Sequence, residues 1–218
     1  MKKSLFMFLA LTATYFGSQA QDTRFGVQAG AAFANYNAKS DGQSDNGSTK
    51  VGLTLGLVVH IPVSEHFVFE PAVNFVQKGF KQSETINGET ESIELTTNHI
   101  EIPFNFVYNS ATQGGAFFIG AGPSLALGMS GKWKYKTTGT EVKQTVNFGS
   151  SDDDDLKGFD LGVNVLAGYR LPNGLFIAAN YNAGLSNLAP GGDNNNSLKS
   201  SYFGIRIGYL FNKKAAAK

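Results

Sequence analysis

The chain has 218 residues, 42% of them hydrophobic, with 26 glycines, 18 phenylalanines, 8 tyrosines, no cysteine and a formal charge of +1. Near-neutrality gives no basic footprint for nucleic acid, and the missing cysteines exclude disulfides, thiolate metal sites and lipid attachment through an N-terminal cysteine. No window beyond the N-terminus approaches eighteen apolar residues, which excludes helical membrane spans, and the glycine and aromatic content favours strands.

Residues 1–20 read as a secretory signal peptide. Lys2 and Lys3 precede an apolar core over 5–16, and Ser18 and Ala20 are the small residues ahead of a cut. That core is about a dozen residues, short of the ~20 a spanning helix needs. Its removal takes two lysines with it and leaves a mature charge of about −1.

Residues 21–211 read as one domain of alternating strands. Over 24–36, Phe25, Val27, Ala29, Ala31 and Phe33 share one face, because side chains of an extended chain alternate at period 2. A polar segment over 37–49 reads as a loop. The second strand sets Val51, Leu53, Leu55, Leu57, Val59 and Ile61 against Gly52, Thr54, Gly56 and His60, and a short turn over 62–65 follows. The third, 67–78, opposes Phe67, Phe69, Val73 and Phe75 to Glu70, Asn74 and Lys78, and 81–92 reads as a second polar loop. In the fourth, Ile100, Ile102, Phe104, Phe106 and Tyr108 oppose His99, Glu101, Pro103 and Asn105, before a turn over 109–115.

The fifth strand, 116–136, puts Phe117, Ile119, Ala121, Leu125, Leu127 and Met129 outward and continues with Trp133 and Tyr135 on the same phase. A third loop over 137–157 carries Asp152 to Asp155, which lack the spaced ligands and glycine of a calcium loop and read as a solvated, flexible acidic run. The sixth strand, 159–170, opposes Phe159, Leu161, Val163 and Val165 to Asp160, Asn164 and Arg170, and ends in a tight turn at Leu171-Pro172-Asn173-Gly174. The seventh, 175–185, sets Ile177 and Tyr181 against Asn180 and Asn182. After a fourth loop over 187–197, the stretch SYFGIRIGYLF (201–211) closes the domain, and NKKAAAK (212–218) reads as a frayed tail.

Eight strands joined long, short, long, short, long, short, long match an all-β, eight-stranded antiparallel up-and-down transmembrane barrel of the outer membrane, with short periplasmic turns and long outer loops. Lipid offers no water to bare backbone groups, so the first strand must pair with the last. The rival is a soluble lipocalin-type barrel with its apolar face inside. The weaker face carries Gln28, Glu70, Asn74, Lys78, Glu101, Asn105, Asp160, Asn164, Arg170, Asn180, Asn182 and Arg206, too polar for a dry cavity, so those residues are expected to point inward. Aromatics at the strand ends, Phe25, Phe67, Tyr108, Phe117, Tyr169 and Tyr209 at one level and Phe33, Phe75, Trp133, Phe159, Tyr181 and Phe203 at the other, are expected at the two interfaces.

An eight-stranded barrel is just wide enough to be filled by its own side chains. Glu70, Glu101, Arg170 and Arg206 are therefore expected to form an interior polar cluster with a structural role, Glu101 near mid-depth and the others in the periplasmic half. The histidines, His60, His66 and His99, stand beside no suggestive serine and acid. No enzyme, no cofactor and no metal site is expected, and the outer loops are expected to carry any recognition.

The strings FEPAVNFVQKGFK (69–81), NHIEIPFNFVY (98–108), GAGPSLALGMSGK (120–132), FDLGVNVLAGYRL (159–171) and YFGIRIGYLF (202–211) resemble the PorT-like outer-membrane β-barrel proteins of Bacteroidetes. Glu-Ile-Pro and Gln-Lys-Gly are the most specific marks, while Glu70-Pro71 reverses the order the family often shows. The resemblance implies outer-membrane lipid surroundings and, as in some members, envelope or secretion partners. It also implies that Tyr202, Gly204, Ile207 and Tyr209 form the C-terminal signal read by the barrel-assembly machinery during insertion.

Overall fold

The computed structural model describes residues 23–211, apart from residues 42, 87–88, 113, 138–139, 152 and 194. The expected signal peptide and C-terminal tail lie outside the described residues. Ten strand segments occur in chain order: β1 (Arg24–Ser40), β2 (Gln43–Asn46), β3 (Ser48–Pro62), β4 (Phe67–Ile86), β5 (Glu89–Thr112), β6 (Gly115–Thr137), β7 (Thr140–Thr145), β8 (Phe159–Arg170), β9 (Leu175–Gly184) and β10 (Ser197–Leu210).

Eight of them form an antiparallel ring in the order β1, β3, β4, β5, β6, β8, β9, β10, and β10 returns to β1 from Gly26↔Leu210 to Lys39↔Ser197. Closure leaves no sheet edge in lipid, where each unpaired backbone group would cost several kcal/mol. The two remaining segments are rim pieces: β2 pairs only with the far end of β1, and β7 only with the far end of β6.

The faces follow the expected inversion. Leu53 and Phe117 on the outside are 69% and 62% exposed, whereas Asn74 and Asn164 on the inside are 0% exposed. Placing an arginine or lysine against lipid at mid-depth costs ~2–4 kcal/mol, and a carboxylate somewhat less, so the polar phase of each strand turns inward. Lipid-facing aromatics pair across strands at the short-turn end, with Phe67 and Tyr108 at 5.4 Å and Phe117 and Tyr169 at 4.7 Å between ring centroids. At the other level Phe33 and Phe203 pair at 6.4 Å.

The outer segments differ from the sequence reading. The segment expected as a loop over 81–92 is, in its described residues, a continuation of two strands, with β4 and β5 paired as far as Ile86↔Glu89. Likewise β6 runs to Thr137 and folds back on β7 at Thr137↔Thr140. Nine to eleven residues suffice to cross a bilayer, which β9 matches with 10, while β5 has 24 and stands about a dozen residues proud of the membrane. The barrel rim is therefore oblique, with a tall wall of β4 to β7.

A second difference lies at Met129. The β5–β6 ladder shifts register between Asn98↔Ser130 and His99↔Gly128, which leaves Met129 as a bulge. A one-residue shift exchanges the faces of everything beyond it. Trp133, expected at the outer lipid interface, instead turns to the interior side and packs 5.9 Å edge-on to Phe80.

Candidate functional site

The lumen is filled in three storeys and covered at one end. At the short-turn end, which faces the periplasm by the rule of short inner turns, Glu70 from β4 is the hub. His60 Nδ1 of β3 lies 2.8 Å from its Oε2, and Arg170 of β8 donates to the same oxygen at 3.1 Å. Arg170 also donates to Asn109 Oδ1 at 3.4 Å, and its guanidinium carbon sits 5.0 Å from the Phe118 ring centroid and 6.0 Å from that of Phe176.

The middle storey is mostly amide. Arg206 Nε donates to Asn180 Oδ1 at 3.1 Å, Asn180 Nδ2 to Asn164 Oδ1 at 2.9 Å, Asn164 Nδ2 to Asn105 Oδ1 at 2.9 Å, and Asn105 Nδ2 to the Glu70 carbonyl at 3.5 Å. This line runs from β10 across the lumen wall to β4. It passes over β6 at Gly122, where a Cβ would come within 1.9 Å of the Phe104 carbonyl oxygen. On the opposite wall Gln28 donates to Asn74 at 2.7 Å across Gly56, whose Cβ would lie 2.0 Å from Asn74 Oδ1. Interior glycines thus let amides from every second strand meet.

In the upper storey Lys78 Nζ lies 3.3 Å from Glu101 Oε2, and both side chains are 1% exposed. Tyr202 donates its hydroxyl to Glu101 Oε1 at 2.5 Å. Lys78 also donates to Ser200 Oγ at 3.4 Å, and Ser200 donates to Asp160 Oδ2 at 2.6 Å. Above these, Tyr36, Thr97 and His99 are mutually hydrogen-bonded, with Tyr36 Oη 2.8 Å and His99 Nε2 2.9 Å from Thr97 Oγ1.

The outer mouth is covered by an apolar cap. Val146, Leu156 and Leu188 from the loops after β7 and β9 bury against Tyr36 and Leu95, with Phe80, Trp133, Phe148 and Leu198 packed around them. Phe148 stands edge-on to the His99 ring at 6.0 Å. The acidic run is solvated as expected, with Asp153 and Asp155 exposed, but its carboxylates also tie the cap's backbone. Asp155 accepts from the Asn147 amide and Asp154 from the Ser151 amide, each at 2.8 Å, and Lys157 N–H bonds Leu188 O at 2.8 Å. Asp152 lies outside the described residues. Among those described, no group of three His, Cys, Asp or Glu side chains is placed to hold a metal.

Outside the membrane, charge gathers on the tall wall. Lys50 bonds Glu94 across the outer face of β4, and this contact lowers the Glu94 pKa. Glu141 on β7 is held at about 2, first by its 2.9 Å bond to Lys143 and then by Lys136 and Lys134. Asp193 in the β9–β10 loop is lowered by the amides of Asn196 and Asn195 that it accepts.

The four residues expected to cluster are all interior, but only Glu70 and Arg170 meet. Glu101 takes Lys78 as its ion-pair partner, and Arg206 takes the amide of Asn180. Lys78 shares the phase of Glu70 and Asn74 in the sequence, so it could have been included on that signal. The same phase put Asn105, Asn164 and Asn180 inside without showing that they pair, and the cap had no comparable signal. Of the expected assembly signal, Tyr202 and Gly204 face the lumen while Ile207 and Tyr209 face out.

A closed antiparallel ring, apolar outside and polar inside, defines a small transmembrane β-barrel of the outer membrane. The chain belongs to the outer membrane protein β-barrel domain family, whose model matches residues 19–189. No curated protein matches it. Among solved structures it is similar to Ail, the attachment invasion locus protein of Yersinia pestis, at 14% identity and a TM-score of 0.43 over 88% of this chain and 100% of that one. Neisserial surface protein A is similar at 15% identity and a TM-score of 0.42, covering 86% and 97%. The N-terminal barrel domain of Pseudomonas aeruginosa OprF follows at 11% and 0.32, covering 85% and 97%.

Proposed function

We propose that this protein is a closed stave barrel with a structural or surface-binding role, its lumen filled by side chains and its recognition surface on the tall outer wall. The observation that carries this reading is the hydrogen-bonded line from Arg206 to Glu70 lying beneath a covered outer mouth. A solute would have to break buried hydrogen bonds, each costly to leave unmade, to pass. The interior groups have structural partners: His60 is engaged by Glu70 and His99 by Thr97, which supports a non-catalytic reading. Interior Glu70, Glu101, Arg170 and Arg206 then act as internal braces.

A second reading is a subunit of a secretion or envelope-assembly complex. It is favoured by the Glu-Ile-Pro and Gln-Lys-Gly strings, which suggest the PorT-like branch of the family. Planar-bilayer recording tests the first reading: folded protein should add no steps to the bare-membrane current, and discrete openings would refute a filled lumen. Shortening the β4–β5 hairpin to a tight turn separates the two readings. Loss of external ligand binding with the barrel intact favours surface recognition, whereas intact surface binding with loss of an envelope complex favours the subunit.

A further inference from the structure

At the periplasmic mouth lies a cavity of about 400 Å³, lined by Arg24, His60, Ser64, Asn109 and Arg170 among others. Its two arginines are matched in number by Glu70 and Glu65 but not in pairing. Glu70 is the one buried acid at this level among the described residues, and Arg170 and His60 already share its Oε2. Arg24 stands opposite His60 in the β1–β3 ladder, adds its field at both His60 and Arg170, and forms no ion pair among the described residues. The acid that lines the pocket is Glu65, exposed in the β3–β4 turn. Arg170 lines the pocket while only 6% exposed, and its Nε, shut off from solvent, has no hydrogen-bond partner. Buried guanidinium donors left unpaired are costly, and a planar guanidinium suits an oxyanion better than water.

The walls are also fixed in advance. The β3–β4 turn is tied by Val63 and Ser64 amides to the Phe67 carbonyl at 2.9 and 3.1 Å. The β8–β9 turn is tied by the Leu171 amide to Leu175 O at 2.8 Å, and by the Gly174 amide to Leu171 O at 3.0 Å. The cap at the other end means that a ligand reaches this pocket from the periplasm alone.

We propose that this mouth is a binding site for a single oxyanion group, a carboxylate or phosphate, presented from the periplasm and held by Arg24 and Arg170 with Asn109 and Ser64 at its rim. The site is independent of what the outer wall recognises. The volume suits one small anion or one acidic side chain, not a folded partner entering the barrel.

The test uses the full-length mature protein in lipid nanodiscs and the arginine Nε–Hε resonances of Arg24 and Arg170. Inorganic phosphate, N-acetylglutamate and N-acetylglutamine are titrated at constant ionic strength. Saturable shifts of both resonances with phosphate or N-acetylglutamate, and none with N-acetylglutamine, support the site, and the tighter of the two anions identifies its source. Arg24→Gln should weaken that anion about tenfold, the effect of losing one charge-assisted hydrogen bond. Lys39→Gln, at the opposite rim, should leave it unchanged. Arg24 braces no buried acid, and the heat-modified gel mobility of the variant reports that it is folded. Shifts that rise linearly with salt, an equal response to N-acetylglutamine, or unchanged affinity in folded Arg24→Gln would overturn the proposal.

Discussion

Glu101→Gln is the sharpest probe of the filled lumen. Lys78 and Glu101 are each 1% exposed, so neutralising the carboxylate strands an ammonium whose remaining partners are Ser200 Oγ at 3.4 Å and the Tyr202 ring at 5.2 Å. Breaking a buried pair from one side typically costs about 3–5 kcal/mol, because the survivor keeps its desolvation penalty without its counter-charge. The glutamine Oε1 can still accept from Tyr202, so a lost hydrogen bond does not confuse the measurement. Lys78→Met on its own leaves Glu101 with that Tyr202 donor and should cost somewhat less. The double variant Lys78→Met/Glu101→Gln removes both charges at nearly constant volume. Its cost should be within ~1–2 kcal/mol of the unaltered protein, giving a coupling of at least ~2 kcal/mol. Urea titrations in lipid vesicles measure this directly, with the single tryptophan, Trp133, as reporter within the cap cluster. Two single variants that each cost under ~1 kcal/mol and add without coupling would mean that water hydrates the pair, and the closed-lumen argument would fail.

Three further outcomes follow from the geometry. Gly122→Val places a Cβ about 1.9 Å from the Phe104 carbonyl oxygen, on backbone flanked by the pairs Pro103↔Ser124 and Phe106↔Ala121; it should lower stability by at least roughly 1–3 kcal/mol, and a native unfolding midpoint would contradict the close approach. Tyr209→Asp puts a charge on the outward face beside Phe211 and within the proposed assembly signal; outer-membrane levels should collapse in fractionated cells, and normal levels would dismiss that role. Glu141 should titrate near 2 by carbonyl-detected NMR. Because its folded pKa is depressed, its contribution to stability is present above the ordinary carboxylate range and disappears as pH falls through about 2; roughly 0.5 M salt should move the midpoint back upward, and no movement would exclude the lysines as the cause.

What was legible in the sequence is what lipid enforces. Wherever one face meets hydrocarbon and the other meets the lumen, alternation is strict, and the facing of Leu53, Asn74, Ile102, Asn164 and Arg206 could be read directly. Beyond the bilayer both faces of a hairpin meet water, so 81–92 lacks any period and passes for a loop although its backbone is paired as far as Ile86↔Glu89. The bulge at Met129 leaves no mark in the string GMSGKWK, because glycines and serine on either side fit both faces; Trp133 was therefore carried on the wrong phase. The cap escaped for a different reason. Val146, Phe148 and Leu156 are spaced by tertiary contacts with residues from three other segments, not by a strand or helix period. In the polar cluster, sequence phase located Glu70 and Arg170 on the lumen side but gave no rotation around the ring, so partners such as Lys78 and Asn180 emerged only from the closed sheet.

The closed ring also explains why the middle storey is built of asparagine. The interior acids Glu70, Glu101 and Asp160 are matched in number by Lys78, Arg170 and Arg206, yet Arg206 has no carboxylate within ion-pair distance among the described residues. Its Nε can only donate, so Asn180 must turn its oxygen toward it, and the amide nitrogen must then face Asn164. The same constraint passes to Asn105, whose nitrogen ends on the Glu70 carbonyl. Every dipole in the line is oriented by the cation at one end and accepted at the other by the strand that carries the anion. An arginine in ion-pair contact with a carboxylate would hold two strands together. Separated from Glu70 by three side-chain amides, Arg206 instead couples β10, β9, β8, β5 and β4 into one directed network, and it does so from the strand that closes the barrel against β1.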